Sequence, residues 1–224
     1  FRPTHTADES NIKVGNGANM RQLRLDQVSA FLIPSGAVPD EIANDFPGGI
    51  ALYNRFPAHL RERLGAPSIV YPLDMQPDHI RFGRPENFRV LQVDPKQGEI
   101  LEQAKSYPRA IHPAAWTRDT GEQVLHFSPW MAEGILGAEN PEGDALLEEA
   151  ARELIRLSED GAYVHNWKPT DMLIWDNWRM LHRVTGCTPP HPRSVFRTTI
   201  KGDYGLGRFE GGDEGRYAEL ERTV

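Results

Sequence analysis

Two arginines near the C-terminal end of the sequence have the residue type and the spacing of an anion-binding surface. Arg193 and Arg197 stand four residues apart in a segment that reads as a β-strand, and side chains two residues apart on a strand share one face. Both guanidinium groups are therefore expected on the same surface. Such groups bind carboxylates and sulfonates through paired hydrogen bonds and are too costly to bury without a partner. We expect this face to bind small organic acids.

A histidine precedes the two arginines and is a candidate metal ligand beside the anion. The segment Asp171–His182 is predicted to be a strand that ends at His182, and the strand Arg193–Ile200 follows after a connection rich in proline and glycine. This order predicts that the two strands lie side by side. Imidazole is a common metal ligand, so a metal at His182 would lie next to the bound acid.

The elements that must position these residues are short strands between turns. Alternating apolar and polar residues, or short apolar runs bounded by glycine and proline, are typical of strands. Besides the two strands above, this pattern predicts strands at Val28–Pro34, Phe88–Val93, Glu122–Phe127 and Tyr163–Trp167. The glycine-rich, charged segment from Lys201 to Val224 is expected to be exposed. The chain is thus predicted to be mainly β.

Two helices are predicted to flank the strands. Pro57–Leu64 begins with proline, contains many helix-forming residues and is followed by Gly65. The second helix has Asn140 as its N-cap, proline in its first turn and apolar residues at helical spacing as far as Ser158. We expect one face of this second helix to pack on a sheet.

Composition narrows the class of protein. The chain has 224 residues, with 25 Lys and Arg against 32 Asp and Glu, for a formal net charge of −7. This balance disfavours nucleic acid and anionic membrane surfaces as partners. The hydrophobic fraction of 39% is enough for a folded core. Length and composition predict a single domain over residues 1–224.

The cellular setting is predicted from what the sequence lacks. It contains no apolar run of about 18 residues, as a membrane span requires, and its first residues lack the apolar region of a signal peptide. Cys187 is the single cysteine, so the sequence holds neither an internal disulfide nor a multi-cysteine metal site. These features predict a soluble protein of a reducing compartment, the cytoplasm.

Several motifs in the C-terminal half resemble one family of enzymes. They are W-D-N at Trp175–Asn177, L-H-R at Leu181–Arg183 and R-T-T-I-K-G-D at Arg197–Asp203. The stretch resembles the C-terminal part of the taurine dioxygenase and 2,4-dichlorophenoxyacetate dioxygenase family of iron(II)- and 2-oxoglutarate-dependent dioxygenases. The spacings of 11 residues from His182 to Arg193 and 15 to Arg197 also match. The resemblance extends from His112 to Arg208.

The resemblance implies a fold and a reaction. Members of the family have a double-stranded β-helix, or jelly roll, which is mainly β with flanking helices. By this resemblance His182 is an iron(II) ligand, Arg193 binds the distal carboxylate of 2-oxoglutarate, and Arg197 binds the acidic group of the primary substrate. The implied reaction hydroxylates a small sulfonate or carboxylate with O₂ and releases succinate and CO₂. A homo-oligomer is also expected by analogy.

Two departures from the family pattern leave the metal site incomplete. The iron of such enzymes is held by two histidines and one carboxylate, and the family supplies the first two ligands as H-x-D. None of the eight histidines in this sequence is followed two residues later by Asp or Glu. The family's threonine for 2-oxoglutarate is also absent after Gly48-Gly49.

Two explanations of these departures stay open. In the first, the natural chain carries further residues at the Gln27–Val28 and Gly49–Ile50 junctions, which supply the H-x-D and the threonine. In the second, the chain lacks a complete iron triad and is a non-catalytic jelly-roll module that binds small organic acids.

Overall fold

The described part of the chain forms antiparallel sheets with three helices packed beside them. The computed structural model describes residues 26–32, 43–46, 48–74, 79–84, 86, 107–168, 171–184, 196–201 and 207–211. The helices are α1 (Gly49–Arg55), α2 (Ala58–Leu64) and α3 (Pro141–Gly161). The strands are β1 (Asp26–Leu32), β2 (Ala43–Phe46), β3 (Ser68–Tyr71), β4 (Ala110–Pro113), β5 (Ala115–Thr117), β6 (Gln123–Leu125), β7 (Gly134–Ile135), β8 (Tyr163–Asn166), β9 (Met172–Asp176), β10 (Arg183–Val184), β11 (Phe196–Lys201) and β12 (Arg208–Phe209).

The strands make four sheets, and each described pairing is antiparallel. The strand orders are β11-β1-β9, β10-β2-β8, β12-β4-β3-β7 and β5-β6. Most neighbours in the sheets are far apart in sequence, so long connections return the chain to the same sheet. The sheets and helices of the described residues confirm the prediction of a mainly β chain with flanking helices. The strand predicted at Phe88–Val93 lies outside the described residues. Among the described helices, none is long and apolar enough to cross a bilayer.

The prediction of one continuous strand from Asp171 to His182 is wrong. Strand β9 ends at Asp176, whose side-chain carboxylate accepts a hydrogen bond from the Trp178 N–H at 2.9 Å. The Asp176 carbonyl then accepts the N–H of Met180 at 3.0 Å, which closes a turn. A short polar side chain that bonds to nearby backbone favours a turn over a continued strand. His182 therefore lies in the connection between β9 and β10.

The strands before and after the proline-rich connection are not side by side, contrary to prediction. Strand β1 lies between them and pairs with both β9 and β11. The connection between β9 and β11 is too long to act as a tight hairpin, so nothing local forces these strands to pair. A strand from the N-terminal part of the chain takes the central position instead.

The two predicted helices are confirmed, with small changes at their ends. At the start of α3 the Asn140 side chain accepts the N–H groups of Glu142 at 3.0 Å and Gly143 at 3.1 Å, with proline in the first turn. This satisfies two amides that a helix start leaves without partners. Helix α3 continues to Gly161, beyond the predicted end. Helix α1 was not predicted, because it starts at a glycine without a capping side chain.

The sequence predicted that the C-terminal segment is exposed, but part of this segment contacts the sheet and the core. Strand β12 pairs with β4, and Phe209 packs against the core. Beside it, the Arg109 guanidinium donates two hydrogen bonds to the Glu210 carboxylate, at 2.7 and 2.6 Å. This bidentate contact lowers the pKa of the Glu210 carboxyl from its ordinary value. The charged tail is therefore attached to the sheet over residues 208–210.

The main core lies between the helices and the strands β3, β4, β6 and β7. Each buried leucine or phenylalanine contributes about 2 kcal/mol to stability through removal of apolar surface from water. Members of the core from all three helices and the sheet include Leu52, Phe56, Leu60, Leu64, Ile69, Leu125, Phe127, Leu147, Ala151 and Leu154.

The N-terminus of α1 approaches other backbone closely at Gly49. A Cβ added there would lie 2.7 Å from both the Leu125 carbonyl oxygen and a Val124 methyl carbon. A Cβ added at Gly48 would have its nearest neighbour at 4.0 Å, the Met180 sulfur. Only glycine fits at position 49, whereas position 48 has room.

We predict that Gly49→Ala destabilises the protein and that Gly48→Ala does not. The extra methyl at position 49 must displace backbone, which typically costs about 1–3 kcal/mol in a packed interior. Urea unfolding followed by circular dichroism measures the difference. Gly48→Ala is the matched control and should stay within about 0.5 kcal/mol of the wild type. Equal stability of all three proteins would show that this close approach is absent.

A group of buried aromatic rings lies beside β4 and β6. His112 and His126 are almost fully buried, and their ring centroids are 5.5 Å apart. In the part of the chain that the structure describes, neither ring nitrogen of His126 has a hydrogen-bond partner. Burial disfavours the charged imidazolium, so it lowers the pKa of His126 to about 4 from 6.5.

We predict that the free energy of unfolding falls as the pH drops from 6.5 to about 4. In this window the unfolded chain takes up a proton at His126 that the folded chain does not, since the pKa of His126 is lowered on folding. A shift of this size corresponds to roughly 3 kcal/mol. Comparing urea unfolding of the wild type and His126→Phe across this range isolates the contribution.

The control for this comparison is Trp130→Phe, which changes a partly buried aromatic ring and no titratable group. It should keep the wild-type dependence on pH, whereas His126→Phe should flatten it. A His126→Phe curve parallel to that of the wild type would contradict the prediction.

Candidate functional site

His182, the candidate metal ligand, is buried at the end of a tightly held loop. Its side chain is 6% exposed, and its ring centroid lies 5.0 Å from that of Trp175, with the two planes inclined at 57°. Trp175 is the fourth residue of β9, so the sheet fixes one wall of the histidine's surroundings. Burial against an indole ring keeps bulk water from the imidazole.

The loop Asn177–Leu181, which precedes His182, is bonded to two other elements. The indole N–H of Trp116, on β5, donates to the Trp178 carbonyl at 3.1 Å. The backbone N–H of Gly49, at the start of α1, donates to the Arg179 carbonyl at 2.7 Å. Gly48 and Met180 make an isolated antiparallel bridge next to this bond. The loop is therefore held from two sides along its backbone.

Aromatic packing holds the same loop through the side chain of Trp178. Its ring stacks on His126, with centroids 4.8 Å apart and planes inclined at 23°, and lies 5.8 Å from His112. The sequence motif W-D-N contributes at the other end, where the Trp175 indole N–H lies 3.4 Å from the Asn177 side-chain oxygen. The conformation of this loop thus depends on contacts from β4, β6 and β9.

The two arginines are described to different extents. Arg193 lies outside the described residues. Position 197 lies on β11, where it pairs with Phe31 of β1, which in turn pairs with Leu173 of β9. Directly paired residues and residues two apart on a strand share a face, so register places position 197 on the same face as Trp175. Met172 and Ile174 belong to the opposite face and are exposed.

Register also sets the separation along this sheet. Position 197 and Trp175 are two strands apart, which is roughly 10 Å across the sheet, and Trp175 contacts His182. The structure therefore brings His182 and position 197 to one face of the β11-β1-β9 sheet. The sequence predicted that the strands of these two residues are adjacent, whereas in the structure β1 lies between β9 and β11.

The described residues do not include a complete metal site. Among them, no group of three or more His, Cys, Asp or Glu side chains is placed to hold a metal ion. His182 has suitable chemistry for one ligand, since it is a buried imidazole in a fixed loop. The described donor set alone does not complete the two-histidine, one-carboxylate arrangement that iron(II) requires, and we assign no chemical step to a metal.

A separate cavity of about 200 Å³ lies beside β3 and β7. Its charged lining groups interact with one another or with near neighbours. His79 lies 2.6 Å from the Asp74 carboxylate, and Arg81 donates to the Asp144 carboxylate at 2.8 Å. Neither this cavity nor the contact between His112 and His126 was predicted from the sequence, because the residues that form each of them lie in separate segments of the chain. The lining residues are Pro72, Asp74, His79, Arg81, Trp130, Met131, Ala132 and Glu133.

Comparison with known proteins agrees with the resemblance seen in the motifs. The family model described as taurine catabolism dioxygenase TauD, TfdA family, matches residues 44–199. The structure of AAD-2 in complex with Mn(II) and N-oxalylglycine is similar with a TM-score of 0.66 and 18% sequence identity, over 92% of this chain and 69% of that one. A taurine dioxygenase from Burkholderia xenovorans gives 0.58 and 18%, over 91% of this chain and 59% of that one.

These structural similarities, at such low identity, concern the fold. The family match is more direct, because it covers well over half of the chain and includes the W-D-N and L-H-R motifs. It begins within β2 and so leaves β1 outside the matched range. The chain belongs to the TauD/TfdA family of taurine catabolism dioxygenases.

Proposed function

We propose that this protein is an iron(II)- and 2-oxoglutarate-dependent dioxygenase that hydroxylates a small sulfonate or carboxylate. In this proposal the described sheets belong to the jelly roll of the family, within a single domain. In this proposal His182 is an iron ligand, Arg193 binds the distal carboxylate of 2-oxoglutarate, and Arg197 binds the acidic group of the substrate. The reaction consumes O₂ and yields succinate, CO₂ and the hydroxylated product.

One observation carries this proposal. His182 is buried against Trp175, on the sheet face to which register assigns position 197. A metal-ligating imidazole and an anion-binding guanidinium on one face match the needs of a reaction that joins a metal to two organic acids. The family match includes β9, His182 and position 197, although not β1, and supports this interpretation.

The chain's own residues have three tasks in such a reaction. When bound, the iron supplies the oxidising chemistry. The loop presents the buried His182 imidazole, while the indole of Trp175 keeps water from it. The arginines hold the two acids by paired hydrogen bonds, which fix direction as well as charge. The selection of acidic substrates therefore depends on Arg197.

The remaining two iron ligands are proposed to come from residues at the Gln27–Val28 junction. The register of β1 against β11 shifts between Asp26 and Val28, at this same junction. Residues added there would enter the sheet at its central strand, between β9 and β11. Comparing the intact mass of the natural protein with the mass calculated for 224 residues tests whether such residues exist.

We predict that the natural protein converts 2-oxoglutarate to succinate only when iron(II) and O₂ are both present. His182→Ala should reduce this conversion to background, because the variant loses a metal ligand. Succinate formation measured by mass spectrometry provides the readout. His59→Gln, an exposed histidine, is the control and should keep wild-type turnover. Full turnover by His182→Ala would contradict the assignment of the ligand.

We predict that the two arginines affect different substrates. Arg197→Ala should raise the KM for the acidic substrate by roughly 30-fold or more, as expected when one partner of a buried charge pair is removed. Arg193→Ala should raise the KM for 2-oxoglutarate instead. Steady-state kinetics over a panel of sulfonates and carboxylates distinguishes the two effects. An Arg197→Ala variant that keeps its substrate affinity would refute the proposed role of Arg197.

A second candidate function is a non-catalytic module that binds small organic acids. The absence of H-x-D from all 224 residues favours this alternative. Titration calorimetry with 2-oxoglutarate, combined with the succinate assay, separates the two. Binding without turnover in the presence of iron(II), by a protein of the mass calculated for 224 residues, would establish the module and exclude the enzyme.

A further inference from the structure

We infer that Trp116 and His126 are positioning residues that clamp the loop Asn177–Leu181 and thereby set the orientation of His182. The role of this positioning in catalysis rests on the proposed function. The contacts of Trp116 and His126 with the loop, however, can be tested in the protein without a metal or a substrate.

The first part of the clamp acts on consecutive carbonyl groups of the loop. Trp116 donates its indole N–H to the Trp178 carbonyl, and Gly49 donates its backbone N–H to the Arg179 carbonyl. The Trp116 donor is itself fixed by the antiparallel pairing of β5 with β6, in which Trp116 faces Val124. Two separate elements thus determine the path of the loop at adjacent peptide groups.

The second part of the clamp acts on the ring of Trp178. His126 lies nearly parallel to this ring at 4.8 Å, and His112 contacts both rings. Neither nitrogen of His126 makes a hydrogen bond within the described part of the chain. The face of the imidazole, rather than its nitrogen atoms, therefore accounts for its place in the core.

Very few freely rotating bonds separate the residues that make these contacts from His182. The loop is fixed at Trp178, at Arg179 and, through the bridge to Gly48, at Met180. Only Leu181 separates this held backbone from His182, and Leu181 is itself buried. The ring of Trp175 then contacts the imidazole itself. Release of Trp178 would let the whole segment move against the Trp175 ring.

A matched pair of tryptophan variants tests the backbone contact. Trp116→Phe removes the donor and keeps an aromatic ring. Trp130→Phe removes an indole N–H that is buried without a hydrogen-bond partner among the described residues, and so removes no bond to the loop. We expect the Gly49 amide to exchange about fivefold faster in Trp116→Phe, as for one lost hydrogen bond, and at the wild-type rate in Trp130→Phe.

The chemical shift of the His182 Cε1–H proton reports orientation directly, because the ring current of Trp175 acts on it. It should move in Trp116→Phe and in His126→Ala. It should keep its wild-type value in Trp130→Phe and in His126→Phe, which restores a stacking ring. A wild-type shift and exchange rate in Trp116→Phe would overturn the inference. Equal changes in Trp130→Phe would overturn it as well, since they would indicate general loosening of the core.

Cobalt(II) titration separates this inference from the proposed function. If the wild type binds cobalt(II), Trp116→Phe should bind it about tenfold more weakly, as is typical when the support of a metal ligand is lost. Equal affinity would overturn the positioning role. If the wild type binds no cobalt(II), the proposed metal site fails, while the exchange and chemical-shift measurements still decide whether the clamp exists.

Discussion

The approach of the α1 N-terminus to the loop before His182 is the contact on which the site most depends. Gly49 donates its N–H to the Arg179 carbonyl, and no larger residue fits there, because Leu125 and Val124 already fill the space where a Cβ would lie. This contact joins a helix, the β5-β6 hairpin and the histidine loop at one point. The absence of a side chain at position 49 is therefore a structural requirement for the arrangement around His182.

The elements that the sequence predicted well are those with local signals. Asn140 followed by proline marks the start of α3, and the alternation after Gly121 marks β6. In each case the residues that define the element also make its hydrogen bonds. Local chemistry was sufficient to predict these elements, and their boundaries differ from the predictions by only a few residues.

The elements that the sequence predicted poorly depend on distant contacts. The apolar run that follows Asp171 favours one long strand, but the Asp176 side chain bonds to the backbone two residues later, and the strand ends there. The position of β1 between β9 and β11 leaves no mark in either neighbouring strand. The resemblance to the family predicted that His182 and Arg197 act together, while the strand that connects them could be found only in the structure.

The buried imidazoles show a related limit of sequence reasoning. His112 lies on β4 and His126 directly follows β6, and no motif relates them to Trp178. The contact between the two imidazole rings depends on the register of β4 and on the return of the chain through β6. The residues that flank a core histidine in the sequence do not reveal whether it binds a ligand, donates a hydrogen bond or packs against another ring.

The central position of β1 has a consequence for the order of folding. Its residues 26–32 are synthesised about 140 residues or more before both of its partners, at 172–176 and 196–201. Until those partners are made, an apolar strand with two open edges has nothing native to pair with. Contacts over such sequence separation also form slowly, because closing the long intervening loop costs entropy. This strand is where nascent chains would need protection from aggregation.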